Sequence, residues 1–439
     1  MPRSRRALEQ AVKENTPRSL DQWERGLQTM PGGVIKGAYF SKPHPVYMDK
    51  AEECYLWDID GNKYLDFTNH HTAMILGHSP PSVVQAITDA ISQGLGFGAP
   101  STLEAEVSEE IVGRFQSIDK VRFTASGTES SLHATRLARA FTSRPKVAKF
   151  EGAYHGSHDA LEISVAPNLS LAGPPESPKA VAAWPGMSPS AEEETIILPY
   201  GQRESVELIL REHKDEIGGV FFDAKAGIYD IDPDFVHFLR DITSELGMIM
   251  IMDEIVSFRA GYSGYQGLVG VDPDLTLFAK IMTGGMPGGV IAGKSEFMDL
   301  FDNSGSLTLN QSGTFSGNHI TLAAGLATLR GLTPEVYSHF DSLREQLITG
   351  IDRIFSVLKI DGIVKGLGSI VNFDLSNTSV TDYRSMASTD KEPLDLLRME
   401  MMLRGHLIAP GMGLCLSAPM QPEHIDEFLE ALEKALETS

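Results

Sequence analysis

Two apolar runs, each ending abruptly on a charged residue, constrain this chain more than anything else in it. The first, Met248-Ile249-Met250-Ile251-Met252, stops at Asp253 and Glu254, and the second, Leu275–Ala279, stops at Lys280. Short continuous apolar runs are what parallel strands buried on both faces require, and a charge at the end of one is delivered to the rim of the sheet. Gly284, Gly285, Gly288 and Gly289 follow, a cluster that lets backbone approach a ligand closely.

The same alternation of strand and helix runs through the middle of the chain. Helices are expected over 81–93 and 102–116, a strand over 121–125, and then a turn, Ser126-Gly127-Thr128-Glu129, that opens a helix with an apolar stripe of Leu132, Leu137 and Ala138. Strands at 147–150 and in Gly218-Gly219-Val220-Phe221-Phe222, with helices over 203–214 and 233–246, complete a pattern that indicates a parallel sheet with ligand sites at the carboxyl ends of its strands. Strand, glycine turn and hydroxyl-rich helix start make an anion site, because unpaired N–H groups and the positive end of the helix dipole face the same way; an ordinary N-cap has the same composition. Outside this block, residues 1–30 read as one helix closed by Pro31-Gly32-Gly33, and 51–67 as a hairpin about Asp60-Gly61-Asn62. Residues 165–195 read as a long loop, and from 332 the pattern changes to long amphipathic helices with one short strand, Ser369-Ile370-Val371-Asn372-Phe373-Asp374-Leu375. His70 and His71 lack a third ligand at usable spacing and read as loop residues lining a site rather than a metal centre.

Composition narrows the partners. With 59 acidic residues against 37 basic and a net charge of −22, the chain is poorly suited to nucleic acid or an anionic membrane. Two cysteines, Cys54 and Cys415, form neither a disulfide framework nor a metal cluster, which points to a reducing compartment. The basic N-terminus has no apolar core of a signal peptide, and no apolar run reaches membrane-spanning length, so a cytoplasmic location is expected. At 439 residues the chain is too long for a single core, and a large domain with a smaller one is expected.

A lysine and a carboxylate at neighbouring strand ends suit pyridoxal phosphate, which needs an amine for a Schiff base and an acid to keep its ring nitrogen protonated. On spacing alone, a surface lysine beside an acidic strand end fits as well. Residue identities decide further: Asp253-Glu254-Ile255 through Arg259, then Gly270-Val271-Asp272-Pro273-Asp274-Leu275-Thr276 and Lys280, resemble the class III aminotransferases, the group of glutamate-1-semialdehyde aminomutase, amine transaminases and β-amino-acid transaminases. The resemblance implies an α/β, aspartate-aminotransferase-like fold of type I: residues 76–330 as a large domain with a mainly parallel central sheet, and 1–75 with 331–439 as a smaller α+β domain. It also implies that Lys280 and Asp253 are catalytic, and that Ser126, Gly127 and Thr128 hold the cofactor phosphate. Tyr154 would stack on the ring, a role its aromatic face suits, with His155 and Ile255 as further contacts. By the same resemblance Thr314 reaches the phosphate of a second subunit, making a homodimer with shared active sites. The chain departs from the family after the strand ending at Phe222. Asp223 replaces the usual glutamate, and Ala226 and Ile228 stand where the family places the amide that bonds the cofactor's ring hydroxyl.

Within the family, Pro31-Gly32-Gly33, Trp57-Asp58-Ile59-Asp60-Gly61-Asn62 and Tyr154-His155-Gly156 resemble the aminomutase. The chain lacks that enzyme's glutamate-bearing C-terminal insertion, and 409–417 aligns without gaps to β-amino-acid transaminases. Where those enzymes hold carboxylates with two arginines, this chain has Lys36 and Gly411; His71 and Arg259 are further candidates for substrate contact. The expected activity is transfer of an amino group from a primary amine or β-amino acid to a keto acid or aldehyde. The aminomutase is the alternative within the family, and a catalytically inactive binding protein the alternative outside it.

Overall fold

In the smaller part of the molecule the alternating segment about Asp60-Gly61-Asn62 pairs on itself. Strands β2 (Tyr55–Asp58) and β3 (Lys63–Asp66) are antiparallel, with β1 (Met48–Glu52) against β2. The Asp58 carboxylate fixes the turn by accepting from the backbone of Asp60 (3.0 Å) and Asn62 (2.8 Å). The computed structural model describes residues 4–225, 228–305, 308–376, 379–411 and 413–437.

Seven apolar strands make the central sheet: β4 (Lys120–Thr124), β5 (Lys146–Phe150), β6 (Thr195–Leu198), β7 (Ile217–Phe222), β8 (Ile249–Asp253), β9 (Leu275–Ala279) and β10 (Gly289–Gly293). Their order is β4-β10-β9-β8-β7-β5-β6, parallel from β9 through β6, with β10 antiparallel to both its neighbours. Every residue of β7 to β10 is buried, which is why these strands carry continuous apolar runs instead of an alternation. Helix α1 (Gly127–Thr142) packs on the sheet, and Ala134, Leu137 and Ala138 meet Phe221, Ile251, Leu277 and Ile291 in one core. The sequence expectation put Leu132 in this stripe; it is half-buried, and the buried face centres on His133, Ala134, Leu137 and Ala138.

The chain forms two compact units, one of Pro81–Tyr337 with Ser379–Ser388, the other of Met1–Pro80, Ser338–Thr378 and Thr389–Ser439. The second completes its sheets with β11 (Ile363–Leu367), β12 (Ile370–Asp374), β13 (His406–Leu407) and β14 (Leu414–Cys415), in the orders β1-β2-β3-β13 and β11-β12-β14. Two expectations need correction. The single N-terminal helix is two, Arg5–Asn15 and Pro17–Gly26, because Pro17 begins a new helix where its ring would have broken an existing one. The loop at 165–195 contains a short helix, Pro189–Glu194, also started by a proline.

Residues Ser379–Ser388 pack with the larger unit although the sequence pattern assigned them to the smaller. The reason is Arg384, whose guanidinium grips both oxygens of buried Glu151 (2.7 and 3.0 Å) and donates to the carbonyls of Gly173 (2.9 Å) and Ala172 (3.1 Å). Tyr383 lies against Gly152 and donates its hydroxyl to the Pro167 carbonyl (3.0 Å). Breaking a buried, hydrogen-bonded pair from one side strands the other charge, so Arg384→Met should destabilise the protein by about 3–5 kcal/mol. The double variant Arg384→Met, Glu151→Gln should recover part of that loss, as read from urea denaturation midpoints.

Candidate active site

Asp253 ends β8, Lys280 follows β9, and Ser126 follows β4, so all three stand at the same edge of the sheet. The start of α1 ties them together. A Cβ added to Gly127 would lie 2.6 Å from Ile255 Cδ1 and 3.3 Å from Ala279 Cβ, so the helix begins directly against the residues beside Asp253 and Lys280. No side chain larger than glycine's hydrogen fits there without displacing them.

The helix start is itself capped. Ser126 Oγ accepts from the Glu129 N–H (3.1 Å), and Glu129 Oε2 accepts from the Ala125 N–H (2.7 Å). The N–H groups of Gly127 and Thr128, first in the helix, have no intrahelical acceptor and sit at the positive end of its dipole, which suits an anion. Thr128 Oγ1 accepts from the Ser157 N–H (3.1 Å), and Gly156, with φ of 103°, runs so close that an added Cβ would lie 2.7 Å from Thr128 Cα. The turn after β5, carrying Tyr154 and His155, is thereby drawn to the helix start. Tyr154 is 52% exposed, and its hydroxyl meets Ser157 Oγ at 3.1 Å.

Asp253 is buried, and its neighbours define its chemistry. Its Oδ1 accepts from the Ile255 N–H (3.0 Å), and its Oδ2 lies 2.8 Å from His155 Nδ1. Burial pushes the carboxyl up to about 6, against the pull of the Ile255 N–H and the charges of Lys280 and Lys225. Burial, with the Lys149 charge adding to it, pushes His155 down to about 3. The imidazole is therefore neutral near pH 7 and donates Nδ1–H to the carboxylate, while its buried Nε2 has no partner. A carboxylate that burial raises even against the charges of Lys280 and Lys225 would be stabilised by a protonated pyridine nitrogen. With an amine at Lys280 and an anion seat at α1, these residues fit pyridoxal phosphate.

Lys280 is half-buried, takes a left-handed backbone (φ 52°), and accepts at its carbonyl from the Gly285 N–H (2.8 Å). Glu254, next to Asp253 in sequence, is occupied elsewhere, accepting from Ser257 Oγ (2.5 Å) and the N–H groups of Tyr265 (3.1 Å) and Gln266 (2.8 Å). Arg259 is wholly buried, while Thr314 is exposed on a turn. Of the positions where the family has its amide, Ile228 is half-buried and Ala226 lies outside the described residues.

In the smaller unit, two of the expected substrate residues come together. Lys36 Nζ sits 4.2 Å from the centre of the Tyr39 ring, and that ring stacks on His71 at 6.0 Å. His71 belongs to four consecutive residues, Asn69–Thr72, with φ between 47° and 74°. Such a left-handed stretch costs about 1–2 kcal/mol per residue and has to be held in place. Asp66 holds it, accepting from the N–H groups of Thr68 (2.7 Å) and Asn69 (3.1 Å), and Asn69 Nδ2 donates to the Cys415 carbonyl (2.6 Å). Gly411 is exposed, and nothing lies within 4 Å of an added Cβ.

Sequence patterns missed Lys149. It is fully buried, its Nζ donating to the carbonyls of Ala153 (2.7 Å), Leu161 (2.8 Å) and Ile163 (2.6 Å), and so pins the turn that carries His155. Its signal was present as a lysine inside the apolar strand Val147-Ala148-Lys149-Phe150.

This arrangement defines a fold-type-I pyridoxal-phosphate enzyme. Residues 38–436 match the model of the class-III aminotransferases, and the chain belongs to that family. Glutamate-1-semialdehyde 2,1-aminomutase 1 of Staphylococcus epidermidis is 35% identical over 428 residues, covering 95% of this chain and 98% of that one. An omega-transaminase from Sphaerobacter thermophilus superposes with a TM-score of 0.92 at 34% identity, over 96% of this chain and 97% of its own. A transaminase with bound pyridoxal phosphate superposes with a TM-score of 0.87 at 31% identity, over 96% and 97%. Among the described residues no helix is long and apolar enough to cross a membrane, and no cluster of His, Cys, Asp or Glu could hold a metal ion.

The strain on Asp253 sets a pH dependence. In the cofactor-free protein its carboxyl ionises near 6 instead of 3.8, so the folded state holds more protons than the unfolded one and loses stability as pH rises through that window. Asp253→Asn removes the penalty. The cofactor-free variant should exceed the wild type by about 3 kcal/mol at pH 7, and the gap should close below about pH 4. His155 loses its carboxylate acceptor in this variant, so denaturation midpoints at the two pH values are compared in both the native and the His155→Phe backgrounds to isolate the effect.

Proposed function

We propose that this enzyme transfers the amino group of a primary amine carrying an apolar substituent to a keto acid or aldehyde. The meeting of Asp253, Lys280 and the α1 start around Gly127 is the observation that carries the reading. Pyridoxal phosphate, when bound, supplies the carbonyl that takes up the amine and a ring that spreads the electron pair of a breaking C–H bond. In this reading the N–H groups of Gly127 and Thr128 with the Ser126 turn hold its phosphate, and Tyr154 covers a ring face. Asp253 keeps a proton on the ring nitrogen, His155 and the Ile255 N–H fix the orientation of that carboxylate, and Lys280 Nζ removes the proton from the substrate carbon.

The apolar preference follows from what the chain lacks. Gly411 has no side chain to hold a second carboxylate, so a substrate without an acid strands no guanidinium there. Lys36, beside Tyr39 and His71, remains as a single carboxylate contact for the acceptor, whereas the full burial of Arg259 leaves it out of this role. We place Thr314 at the phosphate of a second subunit in a homodimer. Two buried cysteines, Cys54 and Cys415, suit the reducing cytoplasm. The aminomutase is the second reading, favoured by the name of the relatives that share about a third of their sequence with this chain.

Purified protein should be yellow, and borohydride should fix the cofactor on Lys280, located by peptide mass mapping. Mixed separately with an arylalkyl amine, a β-amino acid and glutamate-1-semialdehyde, it should lose its visible band fastest with the amine. If only the semialdehyde reacts, giving aminolevulinate without an added acceptor, the aminomutase reading replaces this one. Thr314→Ala should weaken cofactor retention by about 1.5–3 kcal/mol, the worth of a hydrogen bond to a charged group, in equilibrium dialysis. An active monomer in sedimentation would refute the shared site.

A further inference from the structure

The turn after β7 lies beside Asp253. β7 and β8 are parallel neighbours with Phe222 opposite Met252, so Asp223, one residue on, is level with Asp253. Two residues further stands Lys225, in a left-handed backbone with φ of 45°. Lys280, at the end of β9 on the other side of β8, has the same conformation with φ of 52°. Two lysines in a conformation that favours glycine thus flank one carboxylate, and each persists only where its surroundings hold it.

What holds Lys225 is specific. Its N–H donates to Asp223 Oδ1 (2.9 Å), its carbonyl accepts from the Ile228 N–H (2.7 Å), and the Asp223 carbonyl accepts from the buried Tyr200 hydroxyl (2.9 Å). Lys225 Nζ lies 3.3 Å from Asp223 Oδ2, and both side chains are only 14% exposed. An ammonium has three donors, and among the described residues this carboxylate is its one partner. Its charge reaches the centre of the site, helping to hold Asp253 down and adding to the downward push on His155 and Lys149.

In the family the turn after this strand supplies an amide to the cofactor's ring hydroxyl, and Ile228 has no such group. We propose that Lys225 takes over that contact in this chain, meeting the ring hydroxyl oxygen with a cation where its relatives use a neutral amide. The inference rests on the reading of Asp253 and Lys280 given above. A cation beside that oxygen favours its ionised form and weakens its hold on the proton shared with the nitrogen that joins Lys280 to the cofactor. The visible band of the bound cofactor then changes at a lower pH than it would without Lys225.

The test is a pH titration of the visible absorbance of the holoenzyme. Lys225→Met should raise the midpoint by about one pH unit or more, and Lys225→Arg should keep it within about half a unit of the wild type. Asp223→Asn, which leaves the ammonium unscreened, should lower the midpoint; a merely loosened turn would not give shifts of opposite sign. The other titratable groups around Lys225, namely Asp253, His155 and Lys149, are the same in every variant, and burial raises Tyr200 and Tyr229 well out of the range titrated. A Lys225→Met holoenzyme titrating with the wild type, or Met and Asn variants shifting the same way, overturns this inference alone. A wild type with no visible band overturns it together with the reading it rests on.

Discussion

The buried carboxylate of Asp253 governs the larger unit. An anion removed from water at the end of a fully apolar strand has to be surrounded by donors, and the fold provides them from two directions. The backbone turns sharply after β8 to offer the Ile255 N–H, and the turn after β5 is brought across to offer His155. Neither donor carries a charge at neutral pH. The nearby charges of Lys280 and Lys225 offset only part of the cost of burying the carboxylate, and that shortfall distinguishes a place suited to a cationic ligand group from a satisfied structural carboxylate. Glu254 makes the contrast one residue away, since its carboxylate accepts from four donors on Ser257, Tyr265 and Gln266.

Holding His155 in position requires its own supports, and these lie outside the site. Lys149 gathers three carbonyls of the turn and the helix beyond it, and Arg384 fixes Glu151 at the turn's first residue. Both use buried charge to order backbone that has no strand or helix partners of its own. Strain collects at the same edge, where Lys225 and Lys280 are left-handed; within the smaller unit the Asn69–Thr72 stretch is left-handed too. Conformations of this kind survive when neighbouring hydrogen bonds over-determine them, and each here has such bonds within five residues.

Much of the fold was legible because apolar periodicity is local. Five of the seven strands (β4, β5, β7, β8 and β9), the Gly127 helix and the residues at their ends follow from short apolar runs and the turns that stop them, whereas β6 and β10 went unread. Lys280 and Asp253 could be singled out because a charge at the end of an apolar run is conspicuous. What stayed hidden depends on partners distant in sequence. Nothing around Arg384 announces Glu151, more than two hundred residues earlier, and a lone lysine in a strand does not reveal which carbonyls will fold over it. The break at Pro17 was missed for another reason: a proline that starts a second helix and one that interrupts a loop look the same until the capping geometry is known. The cluster of Lys36, Tyr39 and His71 joins two loops whose conformations no period encodes.

The placement of Ser379–Ser388 also bears on how the chain is made. During synthesis the strands of the large sheet, from Lys120 to Gly293, emerge long before Arg384 does. Until then Glu151 has no guanidinium, and the turn that carries His155 lacks its outer anchor. The smaller unit waits longer still, since β13, the neighbour of β3, is at His406–Leu407. The larger unit is whole once Ser388 has emerged, and the smaller only after the helix Pro422–Glu437. The sheet core forms early, and the turn that carries His155 gains its outer anchor only once Arg384 has emerged, so a chain interrupted before that residue keeps a core without the anchor.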